Sequence, residues 1–459
     1  MWSGDQGRSK KMERMKKIKI LVLSHISELL GGAERSMLDF LDDVSKKHDI
    51  TPEFILREPI GSLADELKLR GWTYHPLSYT FWSDGRPPEK PEHIYNNAVQ
   101  NARAITYMED IIKKTKPELV LTNSVVCPWA ALAAHYQGIP HVWFVREYGD
   151  LDHGRVFEIG RKSTLEDVGT LSELVVTNSL TLGQHIKKYV KSAKVTTLYT
   201  PFNIRAIQKR AQEKVSSPYK NKESLKLVIT GNIAESKGHM EALEAVSQLT
   251  KEGHNVELCV IGKSGDPTYF KKLNTFVAEN SLLKKIHFIG YKQNPLAYVS
   301  LADVGIMASR REAFGRVTFE YLVAGKPVIG AKSGATIEMV NNGKNGYLYQ
   351  QGSPENLALK IKEYLKDSSK IQKHGNKSKE VAMKMMDGEY NSDVVFGKLL
   401  KVARSGAKAK NRPVNFTHQW IEYLQIADNV GALSAKRLVK IRMRQHLKAL
   451  YIKINRIRK

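Results

Sequence analysis

The sequence predicts an α/β protein built as two similar halves. Three observations carry that reading: short apolar runs alternate with stretches long enough to hold helices, the alternation lapses near the middle of the chain, and it then resumes. At 459 residues the chain also exceeds what a single hydrophobic core usually organises, so two domains plus an appendage are expected.

Ile18–Ser24 (IKILVLS) is almost continuously apolar, as a strand buried on both faces of a parallel sheet should be. A loop with Gly31 and Gly32 follows it, and Met37, Leu38, Leu41 and Val44 then recur at helical spacing. Similar runs at 53–56, 119–122, 142–145 and 174–177 complete a first α/β domain over residues 18–205. Between Pro201 and Ser224 the pattern gives way to a polar, lysine-rich stretch, which reads as a hinge with residues 206–224 as linker.

The alternation restarts at 225–229 and continues through 256–261, 286–289, 304–307 and 327–329. Helices are expected from about Gly238 to Lys251, near Gly315, and after Ser353, where Pro354 in the first turn needs no hydrogen-bonded amide. The second domain spans 225–385, and a return helix occupies 386–405. Residues 1–17 form a basic N-terminal tail and 406–459 a basic helical extension. Within that extension, residues 429–459 hold ten Lys or Arg and no Asp or Glu, and Leu447, Leu450, Tyr451, Ile454 and Ile457 fall three or four apart, giving a basic amphipathic helix.

The formal charge of +25 implies an anionic partner, because such an excess repels itself in the compact state. For the tail three readings stand: a charged helix whose apolar stripe packs on the first domain, a helix bound to an anionic membrane surface, or a nucleic-acid contact. The third is the weakest, since no recognition motif or set of stacking aromatics accompanies the charge. Cys127 and Cys259 are the two cysteines, too few for a disulfide framework, so a reducing compartment is expected. No window approaches the apolar length of a spanning helix, and the first residues lack a signal-peptide core. The expected location is cytoplasmic, with peripheral attachment at the inner face of the plasma membrane if the tail binds lipid.

Ser309–Gly330 (SRREAFGRVTFEYLVAGKPVIG) is the most informative segment. Its two carboxylates, Glu312 and Glu320, carry little by spacing alone, and both would suit the positive end of a helix beginning near Gly315. In company, however, the arginine-rich strand end, the turn with Phe314 and Gly315, the helix and AGKPVIG resemble the family 4 retaining glycosyltransferases (glycosyl transferases group 1) of the GT-B fold. The resemblance covers roughly residues 18–405 and is looser in the first domain. It implies two Rossmann-like domains facing a central cleft, and a hexosyl transfer from a nucleotide sugar, UDP- or GDP-linked, to a glycan or lipid-linked acceptor in cell-surface polysaccharide or glycoconjugate synthesis.

In that setting Glu312 would accept hydrogen bonds from the donor sugar, and Glu320 from both ribose hydroxyls. Backbone amides of Phe314, Gly315, Arg316 and Val317 at a helix start would hold the diphosphate. In GNIAESKG (231–238), Lys237 is placed to neutralise the departing diphosphate, which stabilises the transition state. Asn232 stands where the family often has an arginine, so phosphate binding rests more heavily on Lys237 or on a cation from elsewhere. Gly31 and Gly32 match the family's donor-facing loop, and nucleobase contacts fall near Gly290 and Tyr291. Where many members carry a histidine against the donor sugar, this chain has Arg146, followed by Glu147. Arg146 would meet a phosphate or an anionic acceptor and Glu147 an acceptor hydroxyl, or the two would form a structural ion pair.

Retention of anomeric configuration follows from the resemblance, by same-face attack because no carboxylate nucleophile is identifiable. Asp150-Leu151-Asp152 imitates an acidic metal motif, but no metal or other cofactor is expected. Gly262-Lys263-Ser264 lacks the P-loop's earlier glycine, since Glu257 stands there. Two other function classes remain: a non-catalytic glycan-binding or transferase-stabilising partner of the same fold, and a sugar-nucleotide epimerase.

Overall fold

The computed structural model describes residues 17–29, 32–84, 91–406 and 414–416. The first sheet contains seven strands: β1 (Ile18–Ser24), β2 (Ile50–Leu56), β3 (Thr73–Pro76), β4 (Leu119–Asn123), β5 (His141–Val145), β6 (Leu174–Thr177) and β7 (Lys194–Thr197). They are all parallel, in the order β3-β2-β1-β4-β5-β6-β7. Val22 lies opposite Phe54 on one side and Leu121 on the other. The second sheet has β8 (Leu225–Thr230), β9 (Val256–Ile261), β10 (Ile286–Gly290), β11 (Val304–Met307), β12 (Val328–Ala331) and β13 (Gly346–Tyr349). Its order is β10-β9-β8-β11-β12-β13, again all parallel. Both sheets therefore reverse strand order beside their first strand, the position outside which ligands bind in open α/β sheets.

The apolar runs become strands because helices cover both faces: every residue of β4, β5 and β9 is buried. The helices begin where their sequences provide caps. Ser353 accepts from the amide of Asn356 at 3.2 Å to open Pro354–Lys366, and Asp266 accepts from Thr268 and Tyr269 to open Pro267–Glu279.

Residues 206–224, expected as a linker, are built into the second domain. A helix spans Ile204–Ala211, capped by Asn203, and Ile207 is buried. Tyr219 donates its hydroxyl to the carbonyl of Leu227 at 2.9 Å, and the Glu257 carboxylate accepts from the amides of Lys220 and Asn221. Docking here rests on a few hydrogen bonds, on Ile204, Ile207 and Ala211 at helical spacing and on Tyr219, a pattern too short to stand out in a lysine-rich stretch.

The return helix, Ser392–Ser405, leaves the second domain and buries Val395, Phe396 and Leu399 against the first. Phe396 meets His48 with ring centroids 4.7 Å apart, and Lys398 donates to Thr196 at 2.6 Å. Further on, Val414 and Phe416 enter the first domain's core. The Phe416 ring sits edge-on to Trp82 and Trp129, at 5.7 and 5.4 Å, and Trp82 stacks on Trp143. The Asp167 carboxylate accepts from the amides of Asn415 and Phe416, both at 2.8 Å. The basic segment 429–459 and the N-terminal residues 1–16 lie outside the described residues. Among those described, no helix is long and apolar enough to cross a membrane.

The 414–416 anchor carries a pH signature. Burial pushes the Asp167 carboxyl up to about 7, although the two amide bonds favour its ionised form. Between its ordinary pKa and that value the folded chain binds the proton more tightly than the unfolded chain does, so the anchor's contribution falls as pH rises across this window and is constant above it. Asp167→Asn is expected to flatten that slope in urea midpoints measured from pH 4.5 to 8. Phe416→Ala is expected to lower the midpoint at every pH, by the equivalent of about 3 kcal/mol for an emptied aromatic site.

Candidate active site

The carboxyl ends of β1, β4, β8 and β11 open onto one cavity of about 380 Å³ between the two domains. Gly32, Arg146 and Glu147 line it from the first domain, and Lys237, Glu312 and the 314–317 turn from the second.

On the second-domain side, Lys237 lies in a short 3-10 turn, Glu235–Lys237, just after β8. The carbonyl of Ser236 accepts from the amide of Arg310 at 2.8 Å, joining this turn to the end of β11. Lys237 Nζ reaches Glu312 Oε1 at 2.6 Å. The Glu312 backbone is fixed in turn, its carbonyl accepting from Ala335 at 2.8 Å. Helix Arg316–Val323 starts at Gly315, whose φ of 84° is costly for any residue with a Cβ. Phe314 beside it is buried and stacks on Phe202 at 5.8 Å. The helix's unpaired first amides thus face the cavity next to the Lys237–Glu312 pair, a ready anion site.

Arg316 does more than offer its amide. Its side chain crosses the cleft, donating to Ser36 Oγ at 3.1 Å, approaching Asp39 at 3.9 Å and lying 4.5 Å from the Phe202 ring centre. It packs against Gly32, where helix Gly32–Ser45 begins. A second interdomain contact uses Glu338: its carboxylate accepts from the amides of Leu180 and Thr181, at 3.0 and 2.6 Å, and from the Tyr199 hydroxyl at 2.9 Å.

The first-domain wall is charged and largely buried. Arg146, at the end of β5, donates Nε to Asn123 Oδ1 at 2.6 Å and lies over the Phe144 ring at 5.3 Å. Burial lowers its pKa to about 10, so it stays protonated at neutral pH. Glu147 accepts from Ser124 Oγ and from the Val125 amide, and burial raises its pKa. The two neighbours thus form no direct ion pair. His25, just past β1, lies 2.9 Å from Glu34. Burial opposes its protonation, but that contact and the fields of Glu34 and Glu147 prevail and raise its pKa.

Of the residues expected from the sequence, Gly32, Arg146, Glu147, Lys237, Glu312, Phe314, Gly315, Arg316 and Val317 share the cavity. Gly31 lies outside the described residues. Asn232 is exposed in the loop after β8 and is not among the lining residues. Gly290 and Tyr291 stand at the exposed end of β10, also apart from the cavity. Glu320 lies one turn beyond Arg316, outside the lining; burial raises its carboxyl pKa, and Arg316 and Arg210 partly offset this. His25, Glu34, Ser36, Arg155, Asn178 and Arg311 line the cavity without having been foreseen. His25 had one signal in the sequence, its position directly after an apolar strand. Among the described residues, no group of His, Cys, Asp and Glu is arranged to hold a metal ion.

Residues 210–381 match the model of the family described as "Glycosyl transferases group 1". Over 377 residues the chain is 24% identical to spore coat protein SA of Bacillus subtilis (strain 168), covering 78% of this chain and 91% of that protein. It is 26% identical over 211 residues to N-acetyl-alpha-D-glucosaminyl L-malate synthase of Bacillus anthracis, or 46% of this chain and 54% of that one. Anabaena Alr3699/HepE, solved with UDP and glucose, superposes with a TM-score of 0.63 at 19% identity, covering 84% of this chain and all of its own. The lipopolysaccharide outer core galactosyltransferase WaaB in its apo form gives 0.62 at 15% identity, over 84% of this chain and 99% of its own. The chain thus has two Rossmann-like domains of the GT-B kind around the Lys237–Glu312 cleft, and its residues 210–381 are similar to the group 1 glycosyl transferases.

Proposed function

We propose that the protein is a retaining transferase that moves a hexose from a UDP- or GDP-linked donor to a glycan or lipid-linked acceptor in cell-surface glycan synthesis. The observation that carries this reading is the Lys237–Glu312 pair beside the first amides of helix Arg316–Val323, inside the interdomain cavity. The amides and Lys237 hold the diphosphate, and Glu312 accepts from sugar hydroxyls, each charge-assisted bond being worth about 1.5–3 kcal/mol in a dry site. Lys237 gains most as the phosphate leaves, because charge builds on the leaving oxygen in the transition state. The departing phosphate then takes the acceptor's proton on the same face of the sugar. In this reading Lys237 and the helix amides supply the neutralising charge without a metal. Residues 429–459 bring the cleft to an anionic inner-membrane surface, consistent with the chain's excess of 25 positive charges.

The test is a panel of UDP- and GDP-sugars, following nucleotide release with and without EDTA. One donor is expected to be hydrolysed slowly above background, at a rate that EDTA leaves unchanged and Glu312→Ala abolishes. Release from no donor, with the nucleotides still binding, would identify a non-catalytic partner of the same fold instead.

A further inference from the structure

The charges on the first-domain wall are not accounted for by a donor diphosphate, which the opposite wall already serves through Lys237 and the 314–317 turn. Arg146 is buried, and its Nη2 has no hydrogen-bond partner. Its Nε is fixed by Asn123, so the free edge of the guanidinium is held in place at the cavity. None of the carboxylates around it pairs with Arg146 directly, although Glu34 keeps its Oε2 without a hydrogen-bond partner. Glu34 faces His25, Glu147 is taken by Ser124 and Val125, and Asp152 accepts from the amides of Tyr148 and Gly149 at 2.8 Å each. Asp39 is turned to Arg316. A buried charge with no direct counter-ion is costly to the fold, and a ligand oxyanion removes that cost.

A second pair of cations stands nearby. Arg155, also in the cavity lining, donates Nη1 to the Ser83 carbonyl at 3.2 Å and lies 5.8 Å from the centre of the Phe81 ring. Arg57 approaches the same ring at 4.8 Å, and His25 stands 6.1 Å from it. Neither Arg57 nor Arg155 forms an ion pair with a carboxylate among the described residues. Guanidinium groups converging from separate elements match the several oxygens of a phosphoryl group better than the two of a carboxylate.

We propose that the first-domain wall is a subsite for a phosphoryl group carried by the acceptor, with Arg146 at its back and Arg155 at its mouth. This rests on the donor lying on the second-domain side, as proposed above. The phosphoryl group belongs either to a lipid carrier or to the glycan itself, and the chemistry that binds it is the same.

Calorimetric titration of the full chain tests the subsite. UDP is titrated first. Farnesyl diphosphate and glycerol 3-phosphate are then titrated at saturating UDP, against acetate at matched ionic strength. At least one phosphoryl compound is expected to bind tenfold or more tightly than acetate; tighter binding of the first points to a lipid carrier, and of the second to a phosphorylated glycan. Arg146→Gln and Arg155→Gln are each expected to weaken that binding at least tenfold while UDP affinity stays within twofold. Because Arg146 is buried, Arg155→Gln at the mouth carries the test if the first variant does not fold. The subsite is overturned if neither phosphoryl compound exceeds acetate, or if the substitutions weaken UDP as much as the anions. A wild-type chain that does not bind UDP overturns the donor site instead, and the anion titrations run without UDP still read the subsite.

Discussion

Lys237→Met is expected to lower kcat for nucleotide release or sugar transfer by about 10²–10³-fold, the loss typical of removing one preorganised group from a developing anion. KM should move far less, since the charge that Lys237 meets is greater in the transition state than in the bound donor. Glu312→Gln keeps the side chain's size and removes its charge, and should cost about 10–100-fold, in line with losing a charge-assisted bond to a sugar hydroxyl. The two groups are 2.6 Å apart, so their effects should not add: the double variant should be little slower than Lys237→Met alone. Steady-state kinetics of the four proteins would check this. A Lys237→Met enzyme within threefold of the wild type would remove Lys237 from the reaction.

The second large effect is expected from Gly238→Ala, which changes no chemical group in the cleft. Gly238 has a φ of 70°, and a Cβ built there would lie 2.2 Å from the Ala308 carbonyl oxygen and 2.8 Å from its carbon. Ala308 directly follows β11 and Gly238 directly follows Lys237, so either the turn or the strand end must move. Strained backbone and overpacking each cost about 1–3 kcal/mol. The substitution should therefore lower the urea midpoint clearly and depress kcat together with it, because Lys237 is carried off its position. Gly253→Ala is the matched control. Its φ is 83° but a Cβ there meets nothing within 4 Å, so it should cost about 1 kcal/mol of backbone strain and leave kcat alone. Equal losses in the two variants would show that the contact with Ala308 does not position the site.

The two sheets were legible because parallel strands covered on both faces must be apolar along their whole length, as in Val256–Ile261. Lys237, Glu312 and the turn at Gly315 were legible because they lie at strand ends and helix starts, where local sequence dictates local geometry. In the sequence Arg316 shows only as an amide at a helix start; its reach to Ser36 and Asp39 does not show, because those partners lie some 280 residues away. A separation of 139 to 158 residues likewise hid the pairing of Glu338 with Leu180, Thr181 and Tyr199. Arg146 and Glu147 look like an ion pair in the sequence, being adjacent and opposite in charge. At the end of a strand such neighbours leave on opposite sides, and each finds its partner across the sheet, at Asn123 and Ser124.

The N-terminal Rossmann unit is finished by the chain's last described residues. Phe396 closes over Phe40 and His48, and Phe416 fills the space between Trp82 and Trp129. During synthesis this half therefore emerges with two apolar faces open, and they stay open until the other half has been made. A fragment cut at residue 205 inherits those open faces, and with them a tendency to aggregate that the full chain does not share.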